Sequence, residues 1–194
     1  EDLKAIFEYG SVNNIGISDL DIIVVLDNNV KKNCSSLISK KKLPEKTLNI
    51  IDYANIIIFP IKNFEKLLMW DDLKLKQIMG KDLYINNYYK LEIEIARIID
   101  WLPERIIRIE ELLLSQKINV RKSLGLLKSS SYTLNGLIKN FNIKDDSFEK
   151  LISKVNNLRK DWFNLNTYIQ ENTIEMILIE TQEKLLRALD LFDF

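Results

Sequence analysis

The apolar repeat changes once along this chain, near Tyr84, and that change dictates a fold in two parts. Ahead of it stand short β-branched runs separated by polar turns, the mark of strands; behind it apolar residues recur at three and four residues, the mark of helices. The expected class is therefore α+β, with a small mixed sheet flanked by helices in residues 1–84 and an all-helical bundle in residues 85–194. In the first part Ala5–Tyr9 and Leu20–Leu26 read as strands, and a basic helical segment follows over Asn29–Lys42. Leu48–Phe59 forms a long β-branched run, Lys62–Met79 reads as a helix stopped by Gly80, and Leu83-Tyr84 as a short closing strand.

In the second part the seams are long. Leu91, Ile95, Ile98, Leu102, Ile106, Ile109 and Leu113 line one helical face, with Pro103 marking a kink or a fresh start. Val120, Leu124, Leu127, Leu134, Leu137, Ile138 and Phe141 line a second. Asp145-Asp146-Ser147 supplies a cap for a third helix, with a seam from Phe148 through Leu151, Val155, Leu158, Trp162 and Leu165 to Ile169. Thr173 is the expected cap of a last helix carrying Ile174, Ile177, Thr181, Leu185, Leu189 and Phe192. Seams of this kind pack against antiparallel neighbours through short connections, so an up-and-down bundle of four or five helices is expected. They read as core stripes rather than as cofactor boxes.

The chemistry concentrates near the start. Gly10-Ser11 closes the first strand, and Ser18-Asp19-Leu20-Asp21 opens the second. On a regular strand Asp19 and Asp21 project to one side, leaving Leu20 and Ile22 to face the core. Two carboxylates on one face repel unless a cation lies between them. Mg²⁺ suits such a pair, because it takes a few hard oxygen ligands and fills its remaining positions with water and phosphate oxygens. Gly10, lacking Cβ, lets the backbone approach a phosphate, and Ser11 adds a hydroxyl and an N–H donor. The plain alternative is a polar face on an edge strand.

The stretch Tyr9–Val25, YGSVNNIGISDLDIIVV, resembles the signature of the DNA polymerase beta type nucleotidyltransferase superfamily: a Gly-Ser pair, a loop, then an Asp-x-Asp strand. The resemblance covers roughly residues 1 to 84. It implies that Asp19 and Asp21 are metal ligands for two Mg²⁺ ions, with Mn²⁺ as a substitute, and that an NTP is the substrate. Gly10 and Ser11 would hold the β- and γ-phosphates, and Ser18 and Asn55 would join them in the nucleotide site. The family's third carboxylate sits on the next long strand, where this chain has Asn55, a neutral oxygen donor that cannot serve as a base. Asp52, three residues upstream, replaces it only if the strand is shifted or bulged. Three outcomes are open: Asp52 supplies the acid, two carboxylates suffice, or the protein is a degenerate relative. Family members place a helix before the first strand, and a chain opening on Glu1-Asp2-Leu3 is expected to lack it.

The helical part after such a sheet resembles the layout of aminoglycoside-type nucleotidyltransferases, whose helices help form the acceptor pocket. It also resembles minimal nucleotidyltransferases paired with helical HEPN partners. The expected activity is transfer of an NMP to a hydroxyl of a small-molecule or protein acceptor, releasing pyrophosphate. The alternatives are a non-catalytic module that binds a partner through its helices, and a toxin-antitoxin type enzyme acting on protein or tRNA. Glu92, Glu94, Asp100 and Glu104 are the helical carboxylates that could approach the cleft, though each also reads as an ordinary solvated charge.

Composition narrows the rest. Lys plus Arg and Asp plus Glu number 28 each, so no positive field gathers duplex nucleic acid. The cluster Lys31, Lys32, Lys40, Lys41 and Lys42 could steer a triphosphate, but a charge run is first of all a solvated face. There is no His, so imidazole catalysis and a Ser-His-Asp triad are excluded, and so is the Arg-then-His ribonuclease motif of HEPN partners. The general base must be a carboxylate, Lys, Tyr or metal-bound hydroxide. A single cysteine, Cys34, excludes an internal disulfide and a Cys-cluster zinc site. The apolar runs are too short to span a bilayer and no signal peptide is visible, which points to the cytoplasm. The expected association is a homodimer or a partner protein bound through the helical domain.

Overall fold

The structure is a computed structural model that describes residues 2–9, 21–30, 56–67, 75–83 and 91–192. It is α+β and separates into two compact units, Glu1–Lys90 and Leu91–Phe194. The expected basic segment over Asn29–Lys42 lies outside the described residues from Lys31 onward.

The first unit holds β1 (Leu3–Tyr9), β2 (Asp21–Leu26), β3 (Ile56–Pro60), α1 (Ile61–Leu67) and β4 (Lys76–Gly80). The strand order is β3-β2-β1-β4; β1 runs antiparallel to both its neighbours, while β2 and β3 run parallel, so the sheet is mixed. Ala5, Phe7, Ile23 and Val25 share one face and are fully buried, with Phe64 of α1 packed onto them. The Phe7 and Phe64 rings stack at 4.9 Å. Burying a side chain of this size is worth about 1.5–3 kcal/mol, and an aromatic pair adds roughly 0.5–1.5 kcal/mol. The Asn28 side chain accepts from the Lys62 amide at 2.9 Å, tying the turn after β2 to the first turn of α1.

Two expectations fail here. The run Lys62–Met79 is not one helix: α1 ends at Leu67, and Lys76–Gly80 is an edge strand paired with Ala5–Glu8. Pairing with β1 overrides the helical spacing, and Ile78, opposite no β1 residue, forms a bulge between the Ile6↔Met79 and Phe7↔Gln77 pairs. Gly80 is therefore no helix stop. Its φ is +104°, and a Cβ there would lie 2.1 Å from the Lys4 carbonyl oxygen, so only glycine lets β4 lie this close to β1. Leu83 is not in a strand; it packs against the sheet's core.

The second unit has four long helices, α2 (Leu91–Leu113), α3 (Val120–Phe141), α4 (Asp146–Asp161) and α5 (Thr167–Asp190), with a 3₁₀ turn over Trp162–Asn164. α3 packs against the other three, and α2 also packs against α5. Pro103 lies inside α2 without ending it; Pro103 and Ile99, whose carbonyl loses its helical donor, are both on the exposed side. Ile98, Leu102, Ile106 and Ile109 are buried as the spacing predicts. On α3 the buried set is wider than the leucine seam, because Ser123, Ser130, Ser131 and Thr133 are buried as well. Small polar residues fit there: Ser131 Oγ donates to the Leu127 carbonyl, and Gly136 admits Ile98 of α2, whose Cδ1 would lie 2.7 Å from a Cβ.

The caps explain where the last two helices start. Asp145 accepts from the Ser147 amide at 2.9 Å, as expected from its sequence. The last helix, however, begins at Thr167 and not near Thr173. Asn166 caps it, accepting from the Ile169 amide at 2.9 Å, because an extended Asn with a free amide oxygen completes that turn seven residues before Thr173. The seam begun at Phe148 accordingly ends at Trp162, and Ile169 is exposed on α5.

Candidate functional site

Asp21 is the one sequence-predicted site residue that falls among the described residues; Gly10, Ser11, Ser18, Asp19, Asp52 and Asn55 lie outside them. It is the first residue of β2, paired across the antiparallel ladder with Tyr9, the last residue of β1. One end of the sheet is thus built from the two residues that bracket positions 10–20 of the Gly-Ser…Asp-x-Asp stretch. The chain leaves β1 at Tyr9 directly into Gly10-Ser11 and returns into β2 at Asp21.

The side on which Asp21 stands is a correction. Ile23 and Val25 are the fully buried residues of β2, and Asp21 has their parity, so it belongs to the core-facing row and Ile22 to the opposite, half-buried row. The run Asp21–Leu26 is apolar on both faces after its first residue, and it carries no alternation from which parity could be read. What sets it is Phe64, which covers the face of Phe7 and Ile23. Asp21 therefore ends a row that is otherwise hydrophobic, beside Tyr9, which packs on the same core. Its Oδ1 is shielded from solvent. A hard carboxylate at a strand end suits a divalent cation in its donor chemistry, and alone it would offer one ligand. No cluster of three or more His, Cys, Asp or Glu side chains suited to a metal occurs among the described residues.

The far end of β2 is electrostatically closed on itself. Asp27 pairs with Lys4 at 2.7 Å and accepts from the Asn29 amide at 3.1 Å, and these two hydrogen bonds, Lys4 first, hold its carboxyl below the usual range. That carboxylate is committed to the turn.

No family model matches the sequence, and neither curated proteins nor solved structures give a match. The functional reading rests on the residues themselves.

The helical carboxylates take individual places. Glu104 holds Arg105 at 3.0 Å and Arg108 at 2.8 Å; the Arg108 hydrogen bond is the main cause that lowers its pKa. Glu92 and Asp100 are exposed. Beside them is an arrangement that apolar spacing does not reveal. Arg97 and Arg105 flank Trp101 one turn on either side, 5.3 and 5.5 Å from the ring, a cation–π ladder whose only signal is the i, i+4, i+8 spacing. Arg159 of α4 is buried and donates to the Leu124 carbonyl of α3 at 2.6 Å. Among the described residues no helix is long and apolar enough to cross a membrane.

Proposed function

We propose that this chain is a metal-dependent nucleotidyltransferase that moves a nucleoside monophosphate from an NTP to a hydroxyl of a small-molecule or protein acceptor, with release of pyrophosphate. The observation that carries the reading is the Tyr9↔Asp21 pair. It brings the entry to Gly10-Ser11 and the second carboxylate of the Asp-x-Asp stretch to the same end of the sheet, as a site acting on one triphosphate needs. The finer fold belongs to the same proposal: the mixed sheet is read as a nucleotidyltransferase sheet and the four helices as an up-and-down bundle.

In this reading Asp19 and Asp21 hold the metal, Gly10 and Ser11 bind the β- and γ-phosphates, and Ser18 and Asn55 complete the nucleotide site. Two Mg²⁺ ions, when bound, offset the charge of the triphosphate and favour ionisation of the acceptor hydroxyl. The core-side position of Asp21 shields one of its oxygens from solvent. With no histidine in the chain, proton removal from the acceptor falls to a carboxylate, Lys, Tyr or metal-bound hydroxide, and Asp52 is the carboxylate candidate. Asn55 favours a second reading, a degenerate module that keeps the fold and binds a partner through its helices, because an amide adds no charge to the metal site.

Calorimetric titration of each NTP with Mg²⁺ into the full chain and into Asp19→Ala/Asp21→Ala separates the two. The enzyme reading expects one nucleotide to bind only with metal and to be lost in the double variant, with Asp21→Asn as a control that keeps the side-chain volume. Absence of binding by all four nucleotides refutes it in favour of the degenerate module.

A further inference from the structure

We propose that α5 carries a second, outward interaction face, and that a second copy of this chain occupies it, α5 against α5 in antiparallel orientation. α5 is apolar on two opposite sides. Ile174, Ile177, Leu178, Thr181, Leu185 and Ala188 are buried within the unit. Half a turn away, Ile169, Met176, Ile179 and Leu186 are exposed, with Tyr168 at their edge; Met176 is 59% and Tyr168 77% exposed. On α2 the exposed Leu91, Ile99 and Ile107 recur at eight residues and drift around the helix, so they form no second stripe.

The outward residues follow a strict alternation of three and four: Ile169, Asn172, Met176, Ile179, Glu183 and Leu186, the spacing of a two-helix seam. The order is also palindromic about the midpoint between Met176 and Ile179. In an antiparallel pair each layer therefore meets its complement. Ile169 lies level with Leu186 of the second copy, Met176 with its Ile179, and Asn172 with its Glu183, where the amide can donate to the carboxylate. Such self-complementarity is what a two-fold interface requires. Charge decides between orientations. A parallel pair would set Glu183 against Glu183, like charges in contact within the seam. The antiparallel pair flanks it with Glu175 beside Gln182 and Thr173 beside Glu180.

The size is also adequate. Five large side chains make a patch of a few hundred Å², the size that on a monomer's surface marks an interaction site. Two copies bring together on the order of 1,000 Å², the lower limit of a specific interface. The expected dimer is accordingly one of modest affinity.

The test uses the full chain. Sedimentation equilibrium is expected to show a monomer–dimer equilibrium below about 200 µM, and Ile179→Lys, at an exposed position, weakens it about 100-fold with an unchanged far-ultraviolet circular dichroism spectrum. In a Cys34→Ser background, Ile169→Cys mixed with Leu186→Cys forms a disulfide between unlike chains, while neither variant alone does. A protein that stays monomeric at about 200 µM overturns the proposal, leaving the face to some other occupant. Association untouched by Ile179→Lys, or Ile169→Cys linking to itself, overturns it equally.

Discussion

Gly80→Ala tests the part of the sheet that sequence spacing misread. At φ +104° an L residue is strained by about 1–2 kcal/mol. The new Cβ would also fall 2.1 Å from the Lys4 carbonyl oxygen and 2.6 Å from the Ala5 Cα, both backbone atoms that no rotamer change can move aside. Overpacking of this kind adds roughly 1–3 kcal/mol. It also strikes the acceptor of the Lys81 amide, which bonds the same Lys4 oxygen at 2.9 Å. The expected cost is about 3–4 kcal/mol, a fall of roughly 15 °C or more in the unfolding midpoint of a unit this size. Were Gly80 a helix stop, alanine would cost only the left-handed backbone strain of about 1–2 kcal/mol. Hydrogen exchange on the full chain reads the local event, with the amides of residues 76–81 losing protection, and thermal unfolding reads the total. A Gly80→Ala protein within about 0.5 kcal/mol of wild type, with Lys81 still protected, refutes the paired strand.

Two further outcomes are expected. Asn166→Ala removes the cap of α5 and costs about 1 kcal/mol, whereas Thr173→Ala, inside the helix, stays within about 0.5 kcal/mol; urea denaturation of both variants checks the helix start. Asp145 has its carboxyl lowered by its hydrogen bonds to Ser147 first and by Arg187, 3.1 Å away, after them. A lowered folded value means the contribution is complete above the ordinary carboxyl value of 3.8 and is lost as pH falls through the folded one. Thermal midpoints measured from pH 6 to pH 2 should therefore show Asp145→Asn less stable than wild type at the upper end, with the gap closing toward the lower.

Periodicity was informative where one face of an element is buried and the other wet. Ile98, Leu102, Ile106 and Ile109 on α2, and Phe148, Leu151, Val155 and Leu158 on α4, are core residues at the spacing that announced them. It misled where that contrast is missing. β4 is an edge strand exposed along most of its length, so Lys76–Gly80 has no inward row to read, and its identity comes from β1, far away in sequence. β2 is apolar on both sides, so the parity of Asp21 was decided by Phe64 and not by its own neighbours. α5 is apolar on two sides, and the sequence seam mixed Ile169 of its outer face with the inner seam of α4. Of the candidate site, the residue types were legible in the motif. The side of the sheet that Asp21 occupies was not, because it depends on a helix that the motif does not contain.

The pairing order of the sheet sets when each half of this protein can become itself during synthesis. In the second unit α3 follows α2, and α4 follows α3, after short connections, so these packing partners leave the ribosome close together, although α2 also waits for α5. The sheet has no such convenience. β1 is made first but its outer partner is β4, and β2 must wait for β3 before its parallel ladder can form. Until Gly80 has been translated, the outer edge of β1 remains an open row of amides and carbonyls, the kind of surface that pairs with any strand on offer. The step most exposed to error in making this protein is therefore the arrival of a five-residue strand whose last position tolerates no side chain.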